Sequence, residues 1–171
     1  TQTASALARG ARLVVVDPRR AGLAKKADEW LRVRPGTDGA LALAIADVMI
    51  RRGWFDREFV RRWTNGPLLV RADDGRLLRE RDLRDSGDPD RYVGWDEARR
   101  KPVTYDPALT TFETGAADVA LFGEVEVPTV GGPVVCRPAF QLTADLCRRH
   151  GPEAAETICG VEAKQTERTA R

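Results

Sequence analysis

Histidine and cysteine are scarce in this sequence of 171 residues, which contains one histidine and three cysteines. The cysteines, Cys136, Cys147 and Cys159, are widely spaced, and no Cys-x-x-Cys pair occurs. A structural zinc site needs four ligands, and His150 is the single histidine that could supplement the cysteines. We therefore expect no metal site in this chain, buried cysteines without a function, and a helix that ends near His150, before Gly151.

The sequence also lacks a long apolar run and a cluster of charge of one sign. No stretch approaches the roughly 20 apolar residues that span a bilayer. The 28 basic and 26 acidic residues are interspersed along the chain, whereas a nucleic-acid-binding surface is usually marked by a basic block. We therefore expect neither direct membrane insertion nor a nucleic-acid partner. With 42% hydrophobic residues, the chain suits one globular domain, or one domain with an appendage.

The two ends of the chain indicate a fragment. It begins with Thr-Gln-Thr rather than methionine, and it stops within a helical pattern. We expect any function of this chain to be a share of the function of a longer protein.

The first part of the chain, residues 1–66, alternates between strand and helix patterns. Residues 12–16 form a nearly continuous β-branched run, which is typical of a strand buried on both faces of a parallel sheet. Pro18 ends this run, residues 21–29 suit a short crossover, and residues 30–34 suit a second strand. A longer helix is predicted from residue 37 or 38 to residue 52. This order predicts an α/β fold with a Rossmann-like parallel sheet segment, half of a doubly wound domain.

The rest of the chain divides into two further predicted segments. Residues 67–118 are charged and rich in turn signals such as Asp-Gly and Asp-Pro, which predicts a loop-rich, solvated insertion. Residues 119–171 begin with alternating apolar residues around Gly131 and Gly132, which predicts a β-hairpin. Helices are predicted to follow and to return the chain to the adjoining domain.

Two acidic residues, Asp17 and Asp38, follow the two predicted strands. An acid at the carboxyl end of such a strand can accept hydrogen bonds from ribose hydroxyls, but Asp-Pro is also a common turn. Asp38 can cap the first turn of a helix, or it can accept the two adjacent N–H groups of a guanine. The residues alone leave both alternatives open and favour capping for Asp38.

The order and spacing of several motifs resemble the molybdopterin-dependent oxidoreductases of the dimethyl sulfoxide reductase family. In the first part these motifs are Asp17-Pro18-Arg19, Ala27-Asp28, Pro35-Gly36-Thr37-Asp38, Gly53, Asp56 with Phe59-Val60, and Thr64-Asn65-Gly66. In the tail they are Arg137-Pro138-Ala139-Phe140, Pro152-Glu153 and the sequence TICGV. The middle of the chain, roughly residues 71–114, has no pattern that aligns with the family.

The resemblance implies a fragment of a large catalytic subunit, from the domain that binds one guanosine of bis-molybdopterin guanine dinucleotide. It places Asp17, Pro18 and Arg19 next to the ribose and phosphate. It places Gly36, Thr37 and Asp38 next to the guanine, with Asp38 as the acid that reads the base, and this role is compatible with capping because a carboxylate has two oxygens. Gly36 allows the backbone to approach the ligand closely.

Other family landmarks are missing from the sequence. The cysteine-rich region that binds a 4Fe-4S cluster and the residue that ligates molybdenum are absent, so no residue is named as catalytic and the fragment alone is expected to be inactive. The resemblance implies that the intact enzyme, in the bacterial cytoplasm or periplasm, catalyses two-electron redox or oxygen-atom transfer. Its partners would be the remaining domains of the same chain and an iron–sulfur electron-transfer subunit.

Two alternatives remain open. One is a non-redox member of the same family, a hydratase or a transhydroxylase. The other is a non-catalytic α/β nucleotide-binding module, although the absence of Gly-x-Gly-x-x-Gly before Arg12 argues against nicotinamide binding.

Overall fold

In a computed structural model that describes residues 2–113, 115 and 118–171, the chain forms two compact units. The first unit contains the chain up to Phe55 together with Leu146–Arg171, and the second is Asp56–Asp145. The predicted segments 1–66, 67–118 and 119–171 were drawn from composition along the chain rather than from spatial contact, and they stay a prediction. Of those segments, residues 1, 114, 116 and 117 lie outside the described residues.

The secondary structure is mixed. The helices are α1 (Gln2–Ala8), α2 (Asp38–Arg52), α3 (Arg57–Trp63), α4 (Glu80–Leu83), α5 (Ala139–Arg149), α6 (Pro152–Cys159) and α7 (Ala163–Thr169). The strands are β1 (Val14–Val16), β2 (Glu29–Leu31), β3 (Leu69–Arg71), β4 (Tyr92–Asp96), β5 (Lys101–Asp106), β6 (Thr111–Phe112), β7 (Val125–Thr129) and β8 (Gly132–Pro138). Among the described helices, none is both long and apolar enough to cross a membrane.

The first unit contains a parallel pair of strands. β1 pairs with β2 in the register Val14 to Glu29 and Val16 to Leu31, and a short 3-10 turn, Gly22–Lys26, lies in the crossover. The predicted parallel pair is therefore confirmed. The expectation that β1 is buried on both faces is wrong, since Val14 and Val16 are 41% and 46% exposed. Alternate side chains of a strand share a face, and this face of β1 is uncovered by the described residues.

Helix α2 provides most of the core of the first unit. Its apolar face packs against β2 and α6 in a cluster of buried residues, which are Leu31, Val33, Leu41, Ala44, Ala155, Cys159 and Val161. The helix ends where predicted, because Gly53 adopts the left-handed conformation with φ of 70° that a helix C-terminus favours. The carboxylate of Asp47, buried within α2, is paired with Arg51 at 2.8 Å.

The second unit consists mainly of two antiparallel three-stranded sheets, in the orders β3-β8-β7 and β4-β5-β6. The predicted hairpin is confirmed as β7 and β8, with Thr129 paired to Gly132. Two buried clusters stabilise this unit. One contains Leu69, Leu78, Val93, Val127 and Cys136, and the other contains Leu68, Val103, Phe112 and Val119.

The charged middle of the chain is more regular than its composition indicates. Its turn signals connect strands instead of forming a long solvated excursion. Asp96 accepts a hydrogen bond from the backbone N–H of Arg99 at 2.8 Å in the turn between β4 and β5, and Asp106 accepts one from Ala108 at 2.9 Å. Because side chains alternate along a strand, apolar residues such as Val93 and Val103 are buried although charged residues surround them in sequence.

The three cysteines are free and buried, as expected. Burial raises the pKa of the Cys136 thiol to about 11, and burial also raises the pKa of Cys147. His150 lies at the end of α5, where its Nδ1 is 3.1 Å from the carbonyl oxygen of Leu146, in agreement with the predicted helix end.

Candidate functional site

Asp17 lies where the chain leaves β1. Its backbone N–H donates to the carbonyl oxygen of Leu31 at 3.2 Å, and its own carbonyl oxygen accepts from the Trp30 indole at 2.9 Å. Both bonds tie Asp17 to the end of β2. Because β1 and β2 are parallel, their carboxyl ends meet at one edge of the sheet, and Asp17 is fixed at that edge.

The Asp17 side chain forms a turn with one of its two oxygens. Oδ1 accepts the backbone N–H of Arg19 at 2.7 Å, which is the turn alternative considered from the sequence. Oδ2 has no hydrogen-bond partner among the described residues. Pro18 and Arg19 follow on the surface, and Arg20 stacks over the Trp30 ring at 5.5 Å.

The chain leaves β2 through a loop that ends at Asp38. Thr37 is the N-cap residue of α2, but its hydroxyl donates to the carbonyl oxygen of Arg34 at 2.7 Å and caps no backbone N–H. The backbone N–H of Thr37 donates to the same oxygen at 3.2 Å. Gly36 has a φ of 81°, which a side chain would disfavour, and the space where a Cβ would stand is open.

Asp38 is the first residue of α2, and its side chain is exposed. Its carboxylate accepts no hydrogen bond from any described residue, so the capping that the sequence favoured is not formed. An acid in the first turn still interacts favourably with the helix dipole. Both carboxylate oxygens of Asp38 are therefore available to an external donor.

A cavity of about 310 Å³ lies at this edge of the sheet and joins the segments that follow the two strands. Pro18 lines it from the segment after β1, and Arg32 and Pro35 line it from the segment after β2. Of the six predicted site residues, Pro18 alone is among the lining residues. The others lie one to three residues along the chain from Pro18 or Pro35.

Several residues of this cavity were missed from the sequence. Arg32 and Arg34 alternate with the buried residues Leu31 and Val33, so their alternation was a usable signal for two cations on one side of the chain. Gly160, which also lines the cavity, is more than a hundred residues away and had no such signal.

Arg34 connects the loop before Asp38 to the C-terminal end of α6. Its guanidinium Nη1 donates to the carbonyl oxygens of Thr157 at 2.9 Å and Ile158 at 3.1 Å, and its backbone N–H donates to Cys159 at 2.9 Å. These are carbonyls that a helix end leaves unpaired, and a cation there also suits the helix dipole. Gly160 permits this contact, since a Cβ at that position would stand 3.3 Å from Nε of Arg34.

Helix α7 holds the other side of β2. Glu29 accepts hydrogen bonds from Arg168 at 3.2 Å and from Gln165 at 3.1 Å, and Gln165 also donates to the Trp30 carbonyl oxygen at 2.9 Å. The bonds from Arg168 and Gln165 lower the pKa of the Glu29 carboxyl. Glu29 therefore remains charged at neutral pH and attaches α7 to the strand that leads to the site.

Similarity to known proteins extends over nearly the whole chain. Residues 1–163 match the family model of the molybdopterin oxidoreductases. The chain belongs to the molybdopterin oxidoreductase family. The predicted resemblance to molybdenum enzymes of the dimethyl sulfoxide reductase type is thus confirmed.

Individual members of the molybdopterin oxidoreductase family match this chain over short parts of their length. The chain is 36% identical to a sulfite dehydrogenase of Allochromatium vinosum, over 95% of this chain and 16% of that protein. It is 32% identical to the alpha chain of perchlorate reductase of Dechloromonas aromatica, over 95% of this chain and 20% of that protein. The chain therefore spans a fifth or less of these relatives.

The mixed α/β fold is also found in a solved structure of the family. Acetylene hydratase from Pelobacter acetylenicus matches 98% of this chain and 13% of that chain, with a TM-score of 0.50 and 22% sequence identity. At this identity the likeness shows the fold alone, and it confirms the predicted fold class.

Proposed function

We propose that the first unit binds the guanosine part of a molybdopterin guanine dinucleotide within a larger molybdenum enzyme. One observation above all supports this proposal. At the carboxyl edge of the β1–β2 pair, Asp38 has two carboxylate oxygens and Asp17 has one that accept no bond from any described residue. Guanine and ribose offer N–H and O–H donors, so these oxygens match the nucleoside chemically.

In this proposal Asp38 reads the base. A carboxylate that accepts two parallel N–H bonds is fixed in orientation and strengthened by its charge. The open space beside Gly36 allows a planar base to reach the loop backbone. Thr37 keeps the loop in place through its two bonds to Arg34 and is not available as a second acceptor.

The remaining residues suit the ribose and the phosphates. Oδ2 of Asp17 is the acceptor for a ribose hydroxyl, while Oδ1 maintains the turn. Arg19 and Arg32 are exposed, and neither forms an ion pair with a described residue. Guanidinium groups bind phosphate oxygens well, so these two arginines are the cations proposed to neutralise the pyrophosphate.

The activity of the whole enzyme is proposed from its relatives. When bound, the cofactor supplies the two-electron or oxygen-atom chemistry, while the protein binds and orients it. A sulfite dehydrogenase and a perchlorate reductase, both named for redox reactions, match 95% of this chain, and we therefore favour a redox enzyme over a hydratase. We propose that the polypeptide of residues 1–171 alone is inactive, since the proposed roles of its residues are in nucleotide binding.

Replacement of Asp38 by Asn in the full-length enzyme tests the nucleotide-binding role. The substitution removes the charge and places an NH2 donor against the donors of guanine. Buried donors without a partner cost about 1–3 kcal/mol, so we expect retention of the cofactor to weaken by about 5-fold to 150-fold. The measurement is the content of guanine nucleotide and molybdenum in the purified variant and in the parent enzyme.

Asp56→Asn is the matched control. Asp56 also begins a helix, but its carboxylate does cap it, accepting the backbone N–H of Phe59 at 2.9 Å. Asn caps as well as Asp does, so this variant should keep both its stability and its cofactor. Equal guanine content in Asp38→Asn and the parent enzyme would exclude the proposed role of Asp38.

A further inference from the structure

A second candidate site lies within the second unit, in a pocket that we call the aromatic pocket. It has a volume of about 340 Å³ and lies between the C-terminal end of α3 and the sheet of β4, β5 and β6. The residues that characterise it are Arg61, Arg62, Trp63, Tyr92, Tyr105 and Phe112. Its volume is at the lower end of the range for small-molecule sites.

The rings that form the pocket differ in exposure. Phe112 is 2% exposed and packs edge-to-face against Tyr105, with ring centroids 5.2 Å apart. Tyr92 is held from its side by the guanidinium of Arg79, 4.7 Å from the ring centroid. Trp63 is 72% exposed. Three rings are thus supported by the protein, while a large apolar ring at the rim has most of its surface in water.

The polar groups of the pocket are donors. Among the described residues that line it, two are arginines and none is acidic. Arg61 is fixed by a 2.8 Å bond from its Nε to the carbonyl oxygen of Val119, and Arg62 is 3.4 Å from Glu58 on the surface of α3. The hydroxyls of Tyr92 and Tyr105 have no hydrogen-bond partner among the described residues.

Backbone strain occurs in the same wall. Thr110, which lines the pocket, has a φ of 52°, a left-handed conformation that is unfavourable for a β-branched residue. Such strain is found preferentially where a side chain serves a ligand. Among the described residues, Arg100 is the other non-glycine residue with positive φ, and it lies in the turn between β4 and β5.

We propose that the aromatic pocket binds a small aromatic carboxylate. A flat ring would stack on Trp63 and contact the tyrosine rings, which removes apolar surface from water. The carboxylate would accept from Arg62 and Arg61, since a guanidinium presents paired donors to a carboxylate. Because the second unit alone forms this pocket, the proposal does not depend on guanosine binding by the first unit.

Benzoate binding to the full-length protein, measured by isothermal titration calorimetry, tests the proposal. We expect Trp63→Ala to weaken binding about tenfold through loss of stacking, and Trp63→Phe to restore most of it. Arg62→Gln should weaken binding by a similar factor. Benzamide, which keeps the ring but lacks the charge, should bind about tenfold more weakly than benzoate.

Trp54→Ala is the matched control, because Trp54 is also a largely exposed tryptophan, at 42%, but belongs to the first unit. It should bind benzoate as the parent protein does. The proposal is overturned if the parent protein does not bind benzoate, if Trp63→Ala binds as tightly as the parent, or if benzamide equals benzoate. Trp63 and Arg62 are exposed, and circular dichroism of each variant verifies that it is folded.

Discussion

At the scale of single residues, the two acids at the sheet edge differ in what their carboxylates do. One oxygen of Asp17 is needed for a turn, whereas neither oxygen of Asp38 bonds to a described residue. The sequence favoured the opposite for Asp38, because an acid at the start of a helix usually caps it. In this chain Thr37 occupies the N-cap position, and its hydroxyl is directed to Arg34 instead.

The two oxygens of Asp17 can be separated by substitution in the full-length enzyme. Asp17→Asn keeps a carbonyl oxygen for the N–H of Arg19 but replaces the other acceptor with an NH2 donor. We expect an unchanged unfolding midpoint and lower guanine nucleotide content, by a factor of about 2 to 10 for one lost hydrogen bond. Asp17→Ala, which removes both acceptors, should lower the midpoint as well. Full nucleotide content in Asp17→Asn would show that Asp17 only forms the turn.

Cys136 gives a prediction about pH. Burial raises its pKa to about 11 from the ordinary value of 9.0, so the folded state holds this proton more tightly than the unfolded state does. The contribution of Cys136 to stability is therefore complete below about pH 9 and is lost as the pH rises towards 11. At pH 9 we expect the folded protein to be alkylated by iodoacetamide at least fiftyfold more slowly at Cys136 than the unfolded protein, since about fiftyfold less thiolate is present. Peptide mapping by mass spectrometry measures this, and equal rates would contradict it.

At the scale of elements, the loop before Asp38 depends on a helix from the far end of the chain. Arg34 makes three hydrogen bonds to the last carbonyls of α6, and its own carbonyl oxygen accepts both bonds from Thr37. The C-terminal turn of α6 is therefore linked through Arg34 to the loop that contains Gly36. The stability of this loop is set by contacts that are distant in sequence.

Arg34→Met tests this link. The variant keeps an unbranched side chain but loses the guanidinium, and we expect a loss of about 1 kcal/mol in stability together with faster hydrogen exchange at residues 36–39. Arg32→Met is the control, because the side chain of Arg32 makes no hydrogen bond to α6. We expect Arg32→Met to leave this exchange unchanged. Unaltered exchange in Arg34→Met would show that α6 does not support the loop.

These elements also show what the sequence could predict. The parallel pair was predictable because Asp17-Pro18 ends one run and the loop before Asp38 ends the next within a short distance. The contact of Arg34 with α6 was not, since no local pattern indicates which helix end lies beside a loop. The sheets of the charged middle were missed because turn residues such as Asp96 suit hairpins and solvated loops equally.

At the scale of the whole molecule, the chain contains two units with separate buried clusters. The candidate nucleotide site is formed by the first unit alone, and the aromatic pocket by the second alone. Membership of the molybdopterin oxidoreductase family and the short share of its relatives that the chain spans agree with a part of a cofactor-binding enzyme. The proposed role of the first unit is to bind and orient one end of that cofactor.

The most direct test is a structure of the full-length enzyme with its cofactor bound. We predict that guanine N1 and N2 lie within hydrogen-bond distance, about 2.7–3.2 Å, of the two Asp38 carboxylate oxygens, with a ribose hydroxyl at the same distance from Oδ2 of Asp17. A guanine bound elsewhere, or an Asp38 carboxylate that faces solvent while the cofactor is in place, would contradict the proposed nucleotide site.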